Sequence, residues 1–272
     1  MAARTITLAN GRKVTFDLPA PGQGPAVFAL SVRKCGSSLF NSMTTDLGHA
    51  NGCGFVDVGG ALFTHNVLPP DWQHDPALGQ ILESGMIFGG FRDMPFSMLD
   101  SELFATSPKI LMVRDPRDAL VSEYFSTGYS HPIPEATGES DDARALVMRE
   151  RSLAINSPLD EWVVRGATRM NRSLTAYSVI LDAPTTLVLR YEDYVFRKDA
   201  MLRVIADHVG WRLDDALVTQ ILTWADVVPE QEDPHRFVRQ VTPGDHRRKL
   251  ARRTIWRINR LLRPAMRLYG YH

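Results

Sequence analysis

The stretch that decides the fold is VFALSVRKCGSSLFNSM, which spans residues 27–43. Its first part, residues 27–32, is largely apolar and contains β-branched side chains, as expected of a buried strand. Two basic residues and four small residues follow at 33–38, and a helical pattern begins near Leu39. The order therefore predicts a strand, a tight loop and a helix.

The loop of this stretch has the composition of an anion-binding site. Backbone N–H groups and the positive end of a helix dipole meet at such a turn. Lys34 adds a full positive charge, and Ser37 and Ser38 add hydroxyl donors. The expected ligand is a phosphate-like or sulfate-like anion. Small residues also form ordinary strand-to-helix turns, so that alternative stays open for the loop taken alone.

The overall composition argues against several classes of protein. The 272 residues include 31 Lys or Arg and 31 Asp or Glu, so no excess of positive charge indicates a nucleic-acid partner. The two cysteines, Cys35 and Cys53, form neither a disulfide framework nor a zinc-binding spacing. The sequence has no run of membrane-spanning length, and its polar start lacks the apolar core of a signal peptide. We therefore expect a cytoplasmic protein.

Short apolar segments alternate with helical segments along the chain, which is typical of an α/β fold with a central parallel sheet flanked by helices. In such folds the loops after the strand C-termini carry the chemistry. A polar loop is expected at 132–142. Besides the first strand, we predict strands at 55–58, 85–91, 109–113 and 185–190.

The N-terminal segment has a different pattern. Alternating residues on both sides of Asn10-Gly11 predict a β-hairpin. We expect residues 1–25 to form this N-terminal hairpin and a linker. Residues 26–272 are expected to form a single domain.

A second basic motif, RDPRDALVSEYFS at 114–126, follows the predicted strand at 109–113. Pro116 favours a helix start, so Arg114 would precede the helix and Ser122 would lie on it. A guanidinium group and a nearby hydroxyl can hold a phosphate. The alternative is that the charged residues of this motif form a surface cluster of salt bridges.

These motifs resemble those of the sulfotransferases that use 3′-phosphoadenosine 5′-phosphosulfate (PAPS). KCGSS at 34–38 resembles the Lys-Ser-Gly-Thr-Thr loop of that family, and 114–118 with Ser122 resembles its Arg-Asp-Pro-Arg-Asp…Ser segment. A Tyr-Glu-Asp triplet at 191–193 follows a predicted strand. Arg239…Gly244-Asp245 resembles the late Arg-Lys-Gly-x-x-Gly-Asp-Trp motif. The resemblance extends from residue 27 to the C-terminus and implies a P-loop-like phosphosulfate-binding loop.

The resemblance also implies a role for each matching residue. Lys34 would contact the 5′-phosphosulfate and stabilise charge on the bridging oxygen as the sulfuryl group leaves. Tyr191 would face the adenine. The transfer would yield 3′,5′-adenosine bisphosphate (PAP) and need no metal, because positioning and charge stabilisation do most of the work. The 5′-phosphate would be held by Arg33, Lys34, Cys35, Gly36, Ser37, Ser38 and Leu39, and the 3′-phosphate by Arg114, Ser122, Arg239 and the backbone near Gly244.

The sequence departs from the family pattern at several positions. Leu39 stands where the family usually has a Trp that stacks on adenine, and Cys35 replaces a Ser. Cys35 is either an activated thiolate beside Lys34 or a small filler. Arg239 is the main contact left in the late motif, where Lys, Gly and Trp are replaced by Gln240, Val241 and His246.

The general base has no direct match. Many cytosolic members carry Thr-His-Leu-Pro where this chain has RDMP at 92–95. We hypothesise that Asp93 accepts the proton of the acceptor hydroxyl. The alternatives are that Asp93 pairs with Arg92 or caps the following helix. His65 is the competing base, although a single loop histidine often has no catalytic role.

The segment 247–272 carries nine Lys or Arg and no acid. Apolar residues recur there at helical spacing, which predicts a basic C-terminal helix. This helix either packs on the core with a solvated basic face or makes a peripheral contact with an anionic membrane or a polyanionic acceptor.

We therefore expect a PAPS-dependent sulfotransferase that acts on a hydroxyl of a carbohydrate, a glycolipid or a small metabolite. The basic tail favours a lipid-linked or anionic acceptor. A P-loop small-molecule kinase is a weaker alternative, because Lys34 precedes Gly36 and the Gly-x4-Gly-Lys-Ser/Thr order is absent from the sequence. A non-catalytic nucleotide-binding or scaffolding protein would bind the nucleotide without turnover.

Overall fold

The structure, a computed structural model that describes residues 2–131, 133 and 142–272, contains a central parallel sheet and a separate hairpin. The strands are β1 (Ala2–Thr7), β2 (Lys13–Leu18), β3 (Val27–Ser31), β4 (Gly54–Asp57), β5 (Met86–Gly89), β6 (Lys109–Val113) and β7 (Thr186–Arg190). The sheet has the order β4-β5-β3-β6-β7, and β1 pairs with β2 in the antiparallel sense. The predicted α/β fold with an N-terminal hairpin is confirmed.

The first predicted strand is the centre of this sheet. β3 pairs in parallel with β5 on one side and with β6 on the other, and all five of its residues are buried. Phe28 stacks on Phe88 with ring centroids 5.5 Å apart, and it meets Phe104 edge-on at 4.6 Å. A strand that is covered on both faces needs a nearly continuous apolar run, which explains the pattern at 27–32.

The helices connect the strands and flank the sheet. Helix α1 (Ser37–Ala50) packs against β3, β4 and β5, and α10 (Lys198–Val209) packs against β7. A π-helical turn at Ser126–Ser130 extends α5. The helices are α1 (Ser37–Ala50), α2 (Val58–Thr64), α3 (Pro69–Trp72), α4 (Glu102–Thr106), α5 (Pro116–Phe125), α6 (Asp142–Ile155), α7 (Leu159–Thr175), α8 (Ser178–Leu181), α9 (Tyr191–Tyr194), α10 (Lys198–Val209), α11 (Asp215–Ala225), α12 (Asp245–Lys249), α13 (Arg252–Leu261) and α14 (Arg263–Leu268).

The chain divides into two compact units. The first unit, which contains the whole sheet and the hairpin, consists of Met1–Val32, Gly36–Val113 and Val179–Asp226. The second unit contains α5 to α7 and α12 to α14, and it consists of Arg33–Cys35, Arg114–Ser178 and Val227–His272. The loop predicted at 132–142 lies almost entirely outside the described residues.

The basic C-terminal segment contains α13, α14 and the end of α12 instead of the one helix that its pattern predicts. Pro264 lies in the first turn of α14, where its missing N–H costs no hydrogen bond, whereas it would break a continuous helix. Both α13 and α14 pack on α7 within the second unit. Among the described residues, no helix is long and apolar enough to span a membrane.

Candidate functional site

The loop after β3 has the backbone conformation of an anion-binding turn. Lys34 and Gly36 both have positive φ, at 62° and 83°. Gly36 is the N-cap of α1, and because it has no side chain it supplies no cap to that helix. The first turn of α1 also contains no acidic residue. The N–H groups at the start of α1 therefore receive no acceptor from the N-cap residue, and a helix start of this kind suits an anion.

Tyr191 lies against this loop in the first unit. A Cβ on Gly36 would stand 2.9 Å from Cδ2 of Tyr191, so a larger residue would displace the ring. The hollow beside the ring holds only ≈ 10 Å³, and Leu39 and Met112 are among its lining residues. Tyr191 itself is 8% exposed. The fold thus groups Gly36, Leu39 and Tyr191, three residues that the resemblance assigns to nucleotide binding.

Arg114 and Lys34 meet in the second unit. Nη1 of Arg114 donates to the carbonyl oxygen of Lys34 at 3.3 Å, across 80 residues of sequence. Cys35 is fully buried, and its Sγ lies 3.7 Å from the carbonyl oxygen of Arg33. A reactive thiolate needs exposure, so this placement fits the small-filler alternative for Cys35.

Asp118 joins the Arg-Asp-Pro-Arg-Asp motif to the late motif. Its carboxylate accepts the backbone N–H of Gly244 at 2.6 Å and that of His246 at 2.9 Å. Nδ1 of His246 donates to the same carboxylate at 2.6 Å. Burial raises the pKa of Asp118, but the hydrogen bonds from His246 and the charge of Arg114 outweigh it and lower the pKa to about 2. Asp118 therefore stays ionised and holds the start of α12.

The other charged pair of this motif has a structural role. Arg117 Nη2 lies 2.6 Å from Oδ2 of Asp115, and both side chains are buried. Arg117 also donates to Oδ1 of Asn259 at 3.2 Å and to the carbonyl oxygen of His272 at 2.8 Å. Asp115 and Arg117 therefore form an ion pair, but the pair is buried and is not the surface cluster of the alternative interpretation.

Arg239 is buried between carboxylates. Its Nη2 lies 2.5 Å from Oδ2 of Asp245, its Nη1 pairs with Glu232, and its guanidinium carbon lies 4.3 Å from the ring centre of Phe125. Lys249 binds the second oxygen of Glu232 at 2.8 Å. Burial raises the pKa of Glu232, but Lys249 and Arg239 outweigh it and hold the pKa below its usual value. The carboxylate of Glu232 thus forms ion pairs with two cations, Arg239 and Lys249.

Ser122 and the two candidate bases are found in separate surroundings. Ser122 is half-buried on α5, and Asp93 is half-buried in the turn after β5. His65 ends α2, where its Nδ1 lies 2.8 Å from the carbonyl oxygen of Ala61 and its Nε2 accepts the N–H of Thr15 at 3.4 Å. Both ring nitrogens of His65 are therefore engaged by backbone groups.

The first unit also contains a polar groove that the sequence did not predict. The groove encloses ≈ 360 Å³ between α1 and β4. The available signal was a row of polar residues at helical spacing along α1. Glu232 was also missed, because a single acid in an irregular segment has no sequence signature. The groove is lined by Ser38, Asn41, Ser42, Thr45, Asp46, Phe55, Asp57 and Arg92.

Comparison with known proteins identifies the fold. No model of a protein family matches the sequence, and no curated protein matches it. Among solved structures, mouse sulfotransferase SULT7A1 complexed with PAP matches with a TM-score of 0.59 and 11% identity, over 91% of this chain and 85% of that chain. The chain has a sulfotransferase-like fold. Retinol dehydratase in complex with androsterone and PAP also matches, with a TM-score of 0.48 and 16% identity over 97% of this chain and 90% of that chain.

The sulfotransferase-like fold confirms the resemblance at the level of architecture. At 11% identity the likeness to SULT7A1 establishes the fold alone. The roles of individual residues therefore depend on the geometry described above and on experiments.

Replacing Asp118 by Asn tests the hydrogen bonds between Asp118 and the late motif at Gly244 and His246. The folded-state pKa of about 2 lies below the usual value of 3.8. Ionised Asp118 therefore stabilises the fold above about pH 4, and this contribution is lost as the pH falls towards 2. We expect Asp118→Asn to lower the free energy of unfolding by roughly 2 kcal/mol at pH 7, and by less near pH 3. Urea unfolding at both pH values measures the difference.

Asp182→Asn is the matched control, because Asp182 is exposed. Its unfolding free energy should stay within about 0.5 kcal/mol of the wild-type value. Equal stability of Asp118→Asn and wild type at pH 7 would show that Asp118 does not hold the start of α12.

Proposed function

We propose that this protein is a PAPS-dependent sulfotransferase that moves a sulfuryl group to an acceptor hydroxyl. The observation that carries the proposal is the start of α1, where the N-cap Gly36 has positive φ and no side chain and follows the buried central strand and the basic pair Arg33-Lys34. Such a turn suits the 5′-phosphosulfate. The PAP in the SULT7A1 structure supports the same nucleotide for this fold.

The reaction assigns a role to each group. The acceptor oxygen attacks sulfur in line, a new O–S bond forms, and the bond from sulfur to the bridging oxygen breaks. PAP leaves with that electron pair, and Lys34 stabilises the negative charge on the bridging oxygen. Asp93 takes the acceptor proton. The amides of Cys35–Leu39 hold the 5′-phosphate, Arg33 adds charge, and Tyr191 faces the adenine.

The 3′-phosphate is assigned to the cations of the second unit. Arg114, Ser122, Arg239 and the backbone near Gly244 would bind it. Arg239 and Lys249 already hold the carboxylate of Glu232. A phosphate is a stronger acceptor with more charge than a carboxylate, so it can take the place of Glu232. Glu232 would then act as an internal competitor of the nucleotide.

The proposal also covers the acceptor of the sulfuryl group and the location of the protein. We propose a hydroxyl of a carbohydrate, a glycolipid or a small metabolite, in a cytoplasmic protein whose working domain is 26–272. The exposed arginines of α13 and Trp256, which is 63% exposed, support a peripheral contact with an anionic membrane. Binding without turnover is the second candidate, because Asp93 stands where many family members have His.

Thermal shifts with three nucleotides test the binding of PAP. A ligand that binds only the folded state at 100 times its Kd stabilises it by about 2.7 kcal/mol. We expect PAP to raise the melting temperature strongly, and ADP and ATP much less, because both lack a 3′-phosphate. Arg114→Ala should abolish the preference, whereas the exposed Arg203→Ala should keep it. A shift with ATP equal to or above that with PAP would contradict the proposal.

Turnover of labelled PAPS with an acceptor panel tests the base. Loss of a general base typically lowers kcat by 10² to 10⁴. We expect Asp93→Asn to lose about that much while its thermal shift with PAP stays normal, and His65→Ala to turn over normally. The assignment to Asp93 is refuted by near-normal turnover of Asp93→Asn together with a large loss in His65→Ala.

The Glu232→Gln variant tests whether Glu232 competes with the 3′-phosphate of the nucleotide for Arg239 and Lys249. Removing the charge of Glu232 leaves Arg239 and Lys249 more available to the 3′-phosphate. We expect the Kd for PAP to fall by roughly three- to tenfold and the Kd for ADP to stay unchanged, as measured by isothermal titration calorimetry. Glu230→Gln, at an exposed neighbouring position, is the control and should change neither constant. Equal effects on PAP and ADP would contradict displacement by the 3′-phosphate.

A further inference from the structure

The polar groove of the first unit has the form of a ligand site. On one side are five polar residues of α1, at 38, 41, 42, 45 and 46, a spacing that places them on one face of the helix. On the other side are Phe55 and Asp57, which are two residues apart and therefore lie on the same face of β4. Arg92, which follows β5, completes this side. The volume of ≈ 360 Å³ lies at the lower end of the range for small-molecule sites, roughly 300 to 1,000 Å³.

Asn41 contributes an amide group to the lining of the groove. Its side-chain oxygen is buried, and it has no hydrogen-bond partner among the described residues. A buried acceptor without a partner costs roughly 1 to 3 kcal/mol, so such groups are normally satisfied. A ligand in the groove can donate to this oxygen only after the Asn41 side chain turns towards it, because the oxygen is inaccessible as it stands.

The charged groups of the groove are held in defined positions. Asp57 accepts the N–H of Gly60 at 2.9 Å, and Asp46 accepts the indole N–H of Trp224 at 2.9 Å. Arg92 donates to the carbonyl oxygens that precede it, at 90 and 91, each at 3.1 Å. A carboxylate can accept several hydrogen bonds, so Asp46 and Asp57 can each accept more from a ligand. These contacts preorganise the groove.

The charges and hydrogen-bonding groups of the groove residues indicate the class of ligand. Two carboxylates face one guanidinium group, which disfavours a polyanion. Hydroxyl groups both donate and accept, so a polyol can donate to Asn41, Asp46 and Asp57 and accept from Arg92. The ring of Phe55 is fixed against Gly89, where a Cβ would stand 2.5 Å from Cζ of Phe55. That ring offers an apolar surface for the C–H face of a sugar.

We propose that this groove binds the acceptor, and that the acceptor is a neutral polyhydroxylated molecule of the size of a small sugar. The inference rests on the proposed sulfotransferase function and makes its acceptor class specific. Ser38 belongs both to the lining of the groove and to the proposed phosphosulfate loop. A sugar hydroxyl beside Ser38 would therefore lie next to the sulfuryl group. The groove residues position the acceptor and take no part in bond breaking.

The test uses the full chain, labelled PAPS and five acceptors: trehalose, maltose, lactose, glucuronic acid and 4-nitrophenol. Saturation-transfer NMR with PAP present detects sugar binding independently of turnover. We expect transfer to at least one disaccharide with a lower KM than for glucuronic acid or 4-nitrophenol. Asn41→Leu should raise that KM roughly tenfold or more, weaken the NMR signal, and leave the thermal shift with PAP unchanged.

Two further variants keep the test decisive. Ser42→Arg places bulk in the groove from an exposed position and should act like Asn41→Leu even if the latter folds poorly. His49→Leu, exposed on α1 outside the groove lining, should leave the KM and the NMR signal unchanged. Preference for 4-nitrophenol or glucuronic acid, or unchanged sugar binding in both groove variants, overturns the inference. With a normal PAP shift this result leaves the nucleotide assignment standing, whereas loss of the PAP shift in the wild type overturns the function itself.

Discussion

Burial of β3 is the constraint on which the rest of the structure depends. The strand is paired on both edges and covered on both faces, so its five residues are apolar or have an internal partner, as Ser31 does with the carbonyl oxygen of Phe91. Because the strand cannot shift without exposing its core side chains, the turn that follows it has a fixed start. The positive φ of Gly36 and the packing of Tyr191 then set where α1 begins.

The second unit depends on charges that are satisfied internally. Asp118 orders the start of α12, and Asp245 and Glu232 neutralise Arg239. A buried guanidinium without partners would be strongly unfavourable, so the fold needs these acids whether or not a nucleotide is bound. In the proposed nucleotide site, the 3′-phosphate would therefore have to displace Glu232 from Arg239 and Lys249.

The two polar surfaces of the molecule differ in chemistry. The groove along α1 contains small hydroxyl, amide and carboxylate groups around one aromatic ring, and it suits a neutral polyol. The solvent face of α13 contains arginines and Trp256, with Arg260 stacked 5.0 Å from the indole centre, and it suits an anionic surface. The basic tail therefore does not determine the charge of the acceptor, because recognition of the acceptor is assigned to the groove.

The sequence by itself determined the features that follow local rules. Periodicity and turn chemistry predicted the central strand, the loop with Lys34 and Gly36, the start of α1 and the hairpin at Asn10-Gly11, since each depends on neighbouring residues. Only the tertiary structure decided the partners of these groups. Asp118 meets His246 across 128 residues, and the polar row of α1 faces β4. Such pairings depend on how distant segments pack, and no local pattern encodes that packing.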